Sequence, residues 1–333
     1  MATAPVSEEK AQHYIPKFYL KGFTDKQGSL WVCERFKGIR ESKPKKEAHR
    51  PDYYTVSEEG QRNETAEDIL KQVESRAAPI ICKLANPQYT LTPENASHVI
   101  MFVAFLFARV PSWRENLNTM AVQLAWKMLQ REVGDKEKFY KTFAEIEKER
   151  GKSLGDPEEF RQAVLNRRFD IEQSESHNLG SMCLSACSIA KELATMNYQA
   201  FYAPQGKFFL TSDSPVWTLQ PDGTGEATVG MGFGWDNVEV YCPLNKRTCF
   251  RLKKGIKPMG RIIEEGRVDE INRVTMATAV QHLYSSEGHR RIARLFDERG
   301  CKVQVGKNAF HATPSTAWAV PDSVELRTEG DVA

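Results

Sequence analysis

The chain has 333 residues, 41% hydrophobic and 27% charged, with a formal net charge of +2. Those values are ordinary for a soluble globular protein and leave room for a sizeable core. The near-balanced charge excludes a strongly basic nucleic-acid binder and an acidic solvating tail at the level of the whole chain.

Residues 1–10 read as a flexible polar lead without the apolar stretch of a signal peptide. Tyr14, Phe18, Tyr19 and Phe23 then recur at helical spacing around Pro16, with Gly22 near the end of the element. Ser29–Phe36 is a strand candidate after a Lys26-Gln27-Gly28 turn. Arg35 to Arg50 is rich in Lys and Arg. With no aromatics interleaved between Lys37 and Arg50 it reads as a solvated loop rather than a phosphate patch. Asp52–Val56 is a short strand candidate.

Helices follow. Glu64–Leu84 puts Ile69, Leu70, Val73, Ala77, Ile80, Ile81 and Leu84 on one face, and Glu67 and Glu74 point roughly the same way. Thr92 is the N-cap expected for a helix from Pro93. That helix is apolar all round through Val99–Ala108, so it should be central. The apolar run is about half the ~20 residues a membrane span requires. Trp113–Met128 is amphipathic, Lys136–Arg150 and Pro157–Asn166 are more polar, and Leu179–Leu193 stripes another core helix.

The pattern changes near Asn197. Tyr198–Ala203 and Lys207–Leu210 read as a hairpin around Pro204-Gln205-Gly206. Val216–Leu219, Asn237–Leu244, Thr248–Leu252 and His282–Ser285 add strands, with helices at Arg261–Ala279 and Glu287–Glu298. The fold class is α+β: a mainly helical middle packed on a mostly antiparallel sheet from the C-terminal third plus short N-terminal strands. One compact domain over 11–305 is expected, two lobes being the alternative, with an irregular tail at 306–333. The seven scattered cysteines form no CxxC pair, so reduced thiols in a cytoplasmic protein are expected and zinc is not.

Several residues have the chemistry of a site. Thr211, Ser212, Asp213 and Ser214 cluster between two apolar runs, ahead of Pro215. Asp213 is a candidate for catalysis or binding, and equally for capping a turn. Ser212 and Ser214 fit either role. Arg109 ends a helix that is otherwise apolar, and if buried it needs a carboxylate or an anion. Asp213, Glu74 and Glu67 are its candidate partners. His13, beside Tyr14, is the candidate general acid or base. The other histidines have no metal-ligand spacing. Lys246, Arg247 and Arg251 lead a basic stretch to Arg261, readable as a solvated edge strand or a polyanion track.

His13-Tyr14-x-Pro16, Arg109-x-Pro111, Thr211-Ser212-Asp213-x-Pro215 and Pro243-Leu244, in that order, resemble the domain of unknown function 4238 (DUF 4238) family. Asn272 and Tyr284-Ser285 match its later landmarks. Ser214 stands where the family usually has Asn. The resemblance covers about Gln12 to Ser285 and supplies no activity. It implies that His13, Arg109, Asp213 and Asn272 belong to one design.

Two functions are compatible with these residues. One is a nuclease-like hydrolase of a phosphate-containing substrate, RNA or DNA, in microbial defence or a toxin setting. His13 would be its acid/base, Arg109 the phosphate clamp and Asp213 an orienter or metal ligand. Glu74 is a second carboxylate if a divalent ion is used. The other is a non-catalytic protein that docks an anionic partner on its basic edge, with an Arg109–Asp213 pair serving structure.

Overall fold

The computed structural model describes residues 10–58, 61–221, 227–230, 232–299 and 325–327. In chain order the first elements are β1 (Ala11–His13), α1 (Lys17–Lys21), β2 (Leu30–Glu34), β3 (Gly38–Ser42), β4 (His49–Pro51), β5 (Val56–Glu58) and β6 (Gln61–Asn63). Helices α2 (Thr65–Lys83), α3 (Pro93–Ala108), α4 (Pro111–Gly134), α5 (Lys136–Arg150) and α6 (Pro157–Leu165) follow. Then come β7 (Asp170–Glu172), α7 (Glu175–Ala194), β8 (Asn197–Tyr202), β9 (Thr211–Ser212), β10 (Trp217–Pro221) and β11 (Ala227–Val229). The last are β12 (Glu239–Asn245), β13 (Thr248–Lys253), β14 (Met259–Ile262), α8 (Glu265–Thr278), β15 (His282–Ser285), α9 (Arg290–Arg299) and β16 (Glu325–Arg327).

The chain divides into two compact units. The first comprises Met1–Arg114 and Met182–Ser315, the second Glu115–Ser181 and Thr316–Ala333. In the first unit a six-stranded sheet runs β11-β10-β12-β13-β8-β14, antiparallel except for the parallel β8–β14 pair. A four-stranded antiparallel sheet runs β3-β2-β15-β9. Phe201, Phe209, Trp217 and Tyr241 from the region of the larger sheet pack with Val268 and Ile271 of α8. Trp217 stacks on Tyr241 at 4.4 Å between ring centres. The smaller sheet buries Cys33 and Leu283 against Ile292, Ala293 and Phe296 of α9. Strand β12 is buried along its whole length, so the larger sheet is covered on both faces there, with α8 packed against the side that carries Tyr241.

The second unit has its own aromatic core. Trp126 and Val133 pack with Phe139, Phe143, Val164 and Phe169. Its helices carry the signals a sequence can advertise. Asp135 accepts from Lys138 N to cap α5, Asp156 accepts from Glu158 N to cap α6, and Gly151 ends α5 at φ +66°.

The α+β class is as expected, and α3 starts as the sequence implies, with Thr92 accepting from Asn95 N and Pro93 in the first turn. Four expected elements differ. The stretch Arg35 to Arg50, expected as a solvated loop, contains β3 paired with β2 and the first residues of β4 paired with β1. Lys207–Leu210 is not a strand, because Phe209 N donates to Lys246 O and the Asn272 amide occupies the backbone of Phe208 and Leu210. Residues 52–55 form a turn, with Asp52 at φ +46°, and the strand begins only at Val56. Residues Met259–Ile262, expected within a basic connection and the start of a helix, are a strand beside β8. The expected lead, apart from Lys10, and the expected tail, apart from Glu325–Arg327, lie outside the described residues. The six described cysteines are free thiols. No single helix among the described residues is long and apolar enough to cross a membrane.

Candidate ligand-binding site

Arg109 is the site's anchor. The apolar sequence of α3 buries Val99, Phe102, Val103, Leu106 and Ala108, so the residue that closes the helix is carried inward with them. Arg109 itself is 2% exposed. Its Nη1 donates to Glu74 Oε1 of α2 at 2.7 Å. Its Nε and Nη2 are enclosed and have no hydrogen-bond partner. These two N–H groups lie on the same edge of the guanidinium, the edge that grips a carboxylate or phosphate with two parallel bonds. The position at the C-terminal end of α3 also suits a cation.

The surroundings are aromatic and cationic. Burial raises the Tyr54 phenol well above its usual range, with the Arg109 charge the main opposing influence. Tyr53 and Tyr54 meet edge-on at 4.9 Å, and Tyr14 meets Tyr53 at 6.1 Å. Arg114 donates to Tyr53 O at 2.9 Å and lies over the Tyr53 ring at 4.8 Å. Gln12 ties β1 into this region. Its Nε2 donates to Thr55 Oγ1 and Glu67 Oε2, both at 2.9 Å, and its Oε1 accepts from Tyr54 N. Glu67 is therefore taken by Gln12 and by Lys71, leaving Glu74 for Arg109.

Asp213 does not pair with Arg109. Its carboxylate accepts from Val280 N at 2.8 Å, Gln281 N at 2.6 Å and His282 N at 3.0 Å, and its own N–H donates to His282 O. It holds the entry to β15, the turn-capping role its residue type allows. Tyr14 lies within its field. Burial, then the Asp213 charge, push the Tyr14 phenol up to about 12 against the opposing pull of Arg50. Tyr14 is thus a protonated donor at neutral pH.

His13 follows Gln12 on β1, and alternation sends its ring to the other side. It meets His49 of β4 at 5.3 Å between ring centres. Burial, with help from His49 and Lys17, lowers its pKa, and the backbone of Lys45 and Pro44 opposes that shift. Its Nε2 is enclosed and unpartnered. Among the described residues, no hydrogen bond joins the side chains of His13, Arg109 and Asp213 to one another.

The remaining candidates hold the fold together. Asn272 bridges the backbone of Phe208 and Leu210. Ser212 Oγ accepts from Ser214 N, and Ser214 Oγ meets Ser112 Oγ at 3.4 Å. Lys246 donates to Thr24 O, and Arg247 to the carbonyls of Ala203, Pro204 and Lys207. Arg251 grips Glu239 with two bonds. These three cations are spent inside the protein, and β13, which carries Arg251, is an interior strand of its sheet. The expected basic edge is thus not an edge there. No group of three or more His, Cys, Asp or Glu is placed to hold a metal ion among the described residues.

Sequence reasoning missed Gln12, Tyr54 and Arg114. The signal for Gln12 was a polar residue beside an aromatic run, which means nothing until β1 is known to be a strand.

The molecule is an α+β protein with an enclosed, half-satisfied arginine at the end of its central apolar helix. The chain matches the sequence profile of DUF4238, a family of proteins of unknown function, over residues 11–289, and belongs to that family. No curated protein and no solved structure matches it.

Proposed function

We propose that this protein binds a small ligand through a carboxylate or phosphate group, which the Nε and Nη2 of Arg109 grip as a fork. The observation that carries the reading is a guanidinium 2% exposed with one ion pair and two unused donors. Buried donors without partners are costly, and a ligand that fills both recovers that cost on binding. Glu74 balances the arginine's charge and fixes the plane of the fork. The phenol of Tyr54, held protonated, offers an apolar wall with a polar tip near it.

The test is thermal melting and calorimetric titration with inorganic phosphate and with acetate, using the parent protein and Arg109→Lys. The lysine keeps the charge and loses the fork. Saturable stabilisation of the parent alone is the expected result. Equal responses in both proteins, or none in either, would sink the reading.

A hydrolase of phosphate esters is the second reading, supported by His13. A neutral imidazole with an unpartnered Nε2 has the form of a general base. Asp213, with three backbone donors, is committed to the β15 entry and is a poor metal ligand or orienter. Release of nucleotides from RNA or DNA by the parent but not by His13→Ala is what this reading requires. Inactivity of both removes it without touching the binding proposal.

A further inference from the structure

We propose a second site, distinct from Arg109: the β2–β3 turn and the exposed side of α9 form a docking surface for single-stranded nucleic acid. Phe36 is its base-stacking platform, and Arg290 and Arg294 are its phosphate contacts.

Phe36 is 70% exposed and sits at φ +63°. A bulky side chain in left-handed backbone at a turn is uncommon and unfavourable, where glycine would sit without strain. The turn is nonetheless held firmly. Phe36 N donates to Asp297 Oδ1 at 2.8 Å, and Arg35 donates to Ala279 O at 2.7 Å and Val280 O at 2.9 Å. The Arg35 guanidinium also lies 4.1 Å above the Phe296 ring. A large aromatic is therefore presented rigidly to solvent, on backbone that pays for it. Strained backbone with a displayed side chain is a mark of function rather than of packing.

Beside the turn lies an open groove of about 570 Å³ lined by Lys37, Ile39, Arg290, Ala293, Arg294 and Asp297, among others. Ile39 and Ala293 give it apolar lining, and the cations of Lys37, Arg290 and Arg294 outnumber the carboxylates of Asp297 and Glu298. Arg290 and Arg294 are about one helical turn apart, about 6 Å along the axis, and so face the same side. With Arg291 they are exposed, and no ion pair claims any of the three among the described residues. Of the acidic groups nearby, Asp297 Oδ1 accepts from Phe36 N and Glu34 pairs with Lys37, while the exposed Glu298 also lines the groove. An exposed ring next to a row of cations is how proteins hold single strands, the ring stacking on a base and the cations tracking phosphates. An acidic peptide would satisfy the arginines but leave Phe36 without a planar partner, so the nucleic acid fits better.

The experiment is fluorescence anisotropy with the full chain and labelled twelve-nucleotide oligo-U and oligo-dT, a duplex of the same length, and polyglutamate as competitor. Binding of the single strands should weaken as salt rises. Phe36→Ala should weaken it about ten-fold or more, the usual loss of a stacked base. Arg290→Glu with Arg294→Glu should abolish it. Phe36→Gly should also lose binding while melting no lower than the parent. The inference is overturned if the parent binds no oligonucleotide at low salt, if the variants bind like the parent, or if duplex or polyglutamate binds as tightly as the single strand. A clearly lower melting temperature for Phe36→Gly would also overturn it, by making Phe36 a structural residue. No residue is shared with the Arg109 site, so either proposal can fail alone.

Discussion

Two enclosed arginines of this protein meet opposite fates. Arg251, with 13% of its side chain exposed, uses all three nitrogens. Nε and Nη2 grip Glu239 at 2.9 and 2.7 Å, and Nη1 donates to Gln199 at 2.8 Å. Glu239 gains Lys253 and Tyr241 as further donors. Sheet register makes this possible: β12 places Glu239 opposite Lys253, and β8 places Gln199 opposite Arg251. Arg109 ends a helix, where no strand neighbour supplies a carboxylate in register. It finds Glu74 with one nitrogen, and its enclosed Nε and Nη2 have no hydrogen-bond partner. The same side chain has every nitrogen engaged in one place and a single nitrogen engaged in the other.

Substitution separates the two most sharply at Arg251. Arg251→Met strips Glu239 of its bidentate partner in a buried setting and should cost about 3–5 kcal/mol in chemical denaturation. Acid should act on the same network. Burial opposes the Glu239 charge, yet the hydrogen bonds from Arg251, Lys253 and Tyr241 hold its pKa down to about 2. A depressed carboxylate stabilises above its unfolded pKa, so this contribution is intact above about pH 4.5 and is lost as pH falls towards 2. It amounts to about 3 kcal/mol, and Glu239→Gln should remove that part of the acid dependence. A mutant as sensitive to acid as the parent would contradict it.

Asp213→Ala, which frees three backbone N–H groups at the half-open entry to β15, should cost about 2 kcal/mol. Arg109→Met should cost about 1 kcal/mol or less, because the lost ion pair is offset by removing a buried cation with two idle donors. If Arg109→Met proves as damaging as Arg251→Met, Arg109 is as structural as Arg251. The smallest effect belongs to His13. Its folded pKa lies below 6.5, so the unfolded chain takes the proton first and stability falls as pH drops through that value. His13→Gln should flatten this slope, visible as a smaller change in melting temperature between pH 7 and 5.

Much of this architecture was legible in the residues. The stripes of α2 and α3, the Thr92 cap with Pro93, and the apolar strands β12 and β15 are local signals, and they lie where periodicity puts them. The importance of Arg109 was also legible, since a cation closing an apolar helix needs an explanation. Its partner was not, because Glu67, Glu74 and Asp213 are equivalent until tertiary contacts allot Glu67 to Gln12 and Asp213 to the β15 entry. Strand β14 was hidden because its exposed Met259 and Ile262 lie in a basic stretch, and it is held by backbone pairing to β8 rather than by a buried face. Phe36 was passed over because sequence cannot show that a strand-end aromatic points outward from a left-handed turn.

The central claim is that the Nε–Nη2 edge of Arg109 is open to an anion. The most direct measurement is the proton–nitrogen NMR spectrum of the arginine Nε–H groups, with the Arg109 signal assigned by its absence in Arg109→Lys. On titration with phosphate or acetate, the Arg109 Nε–H should shift saturably while that of Arg251, already bound to Glu239, stays in place. An Arg109 signal that does not move at saturating anion, or one that moves no more than that of Arg251, would contradict the account.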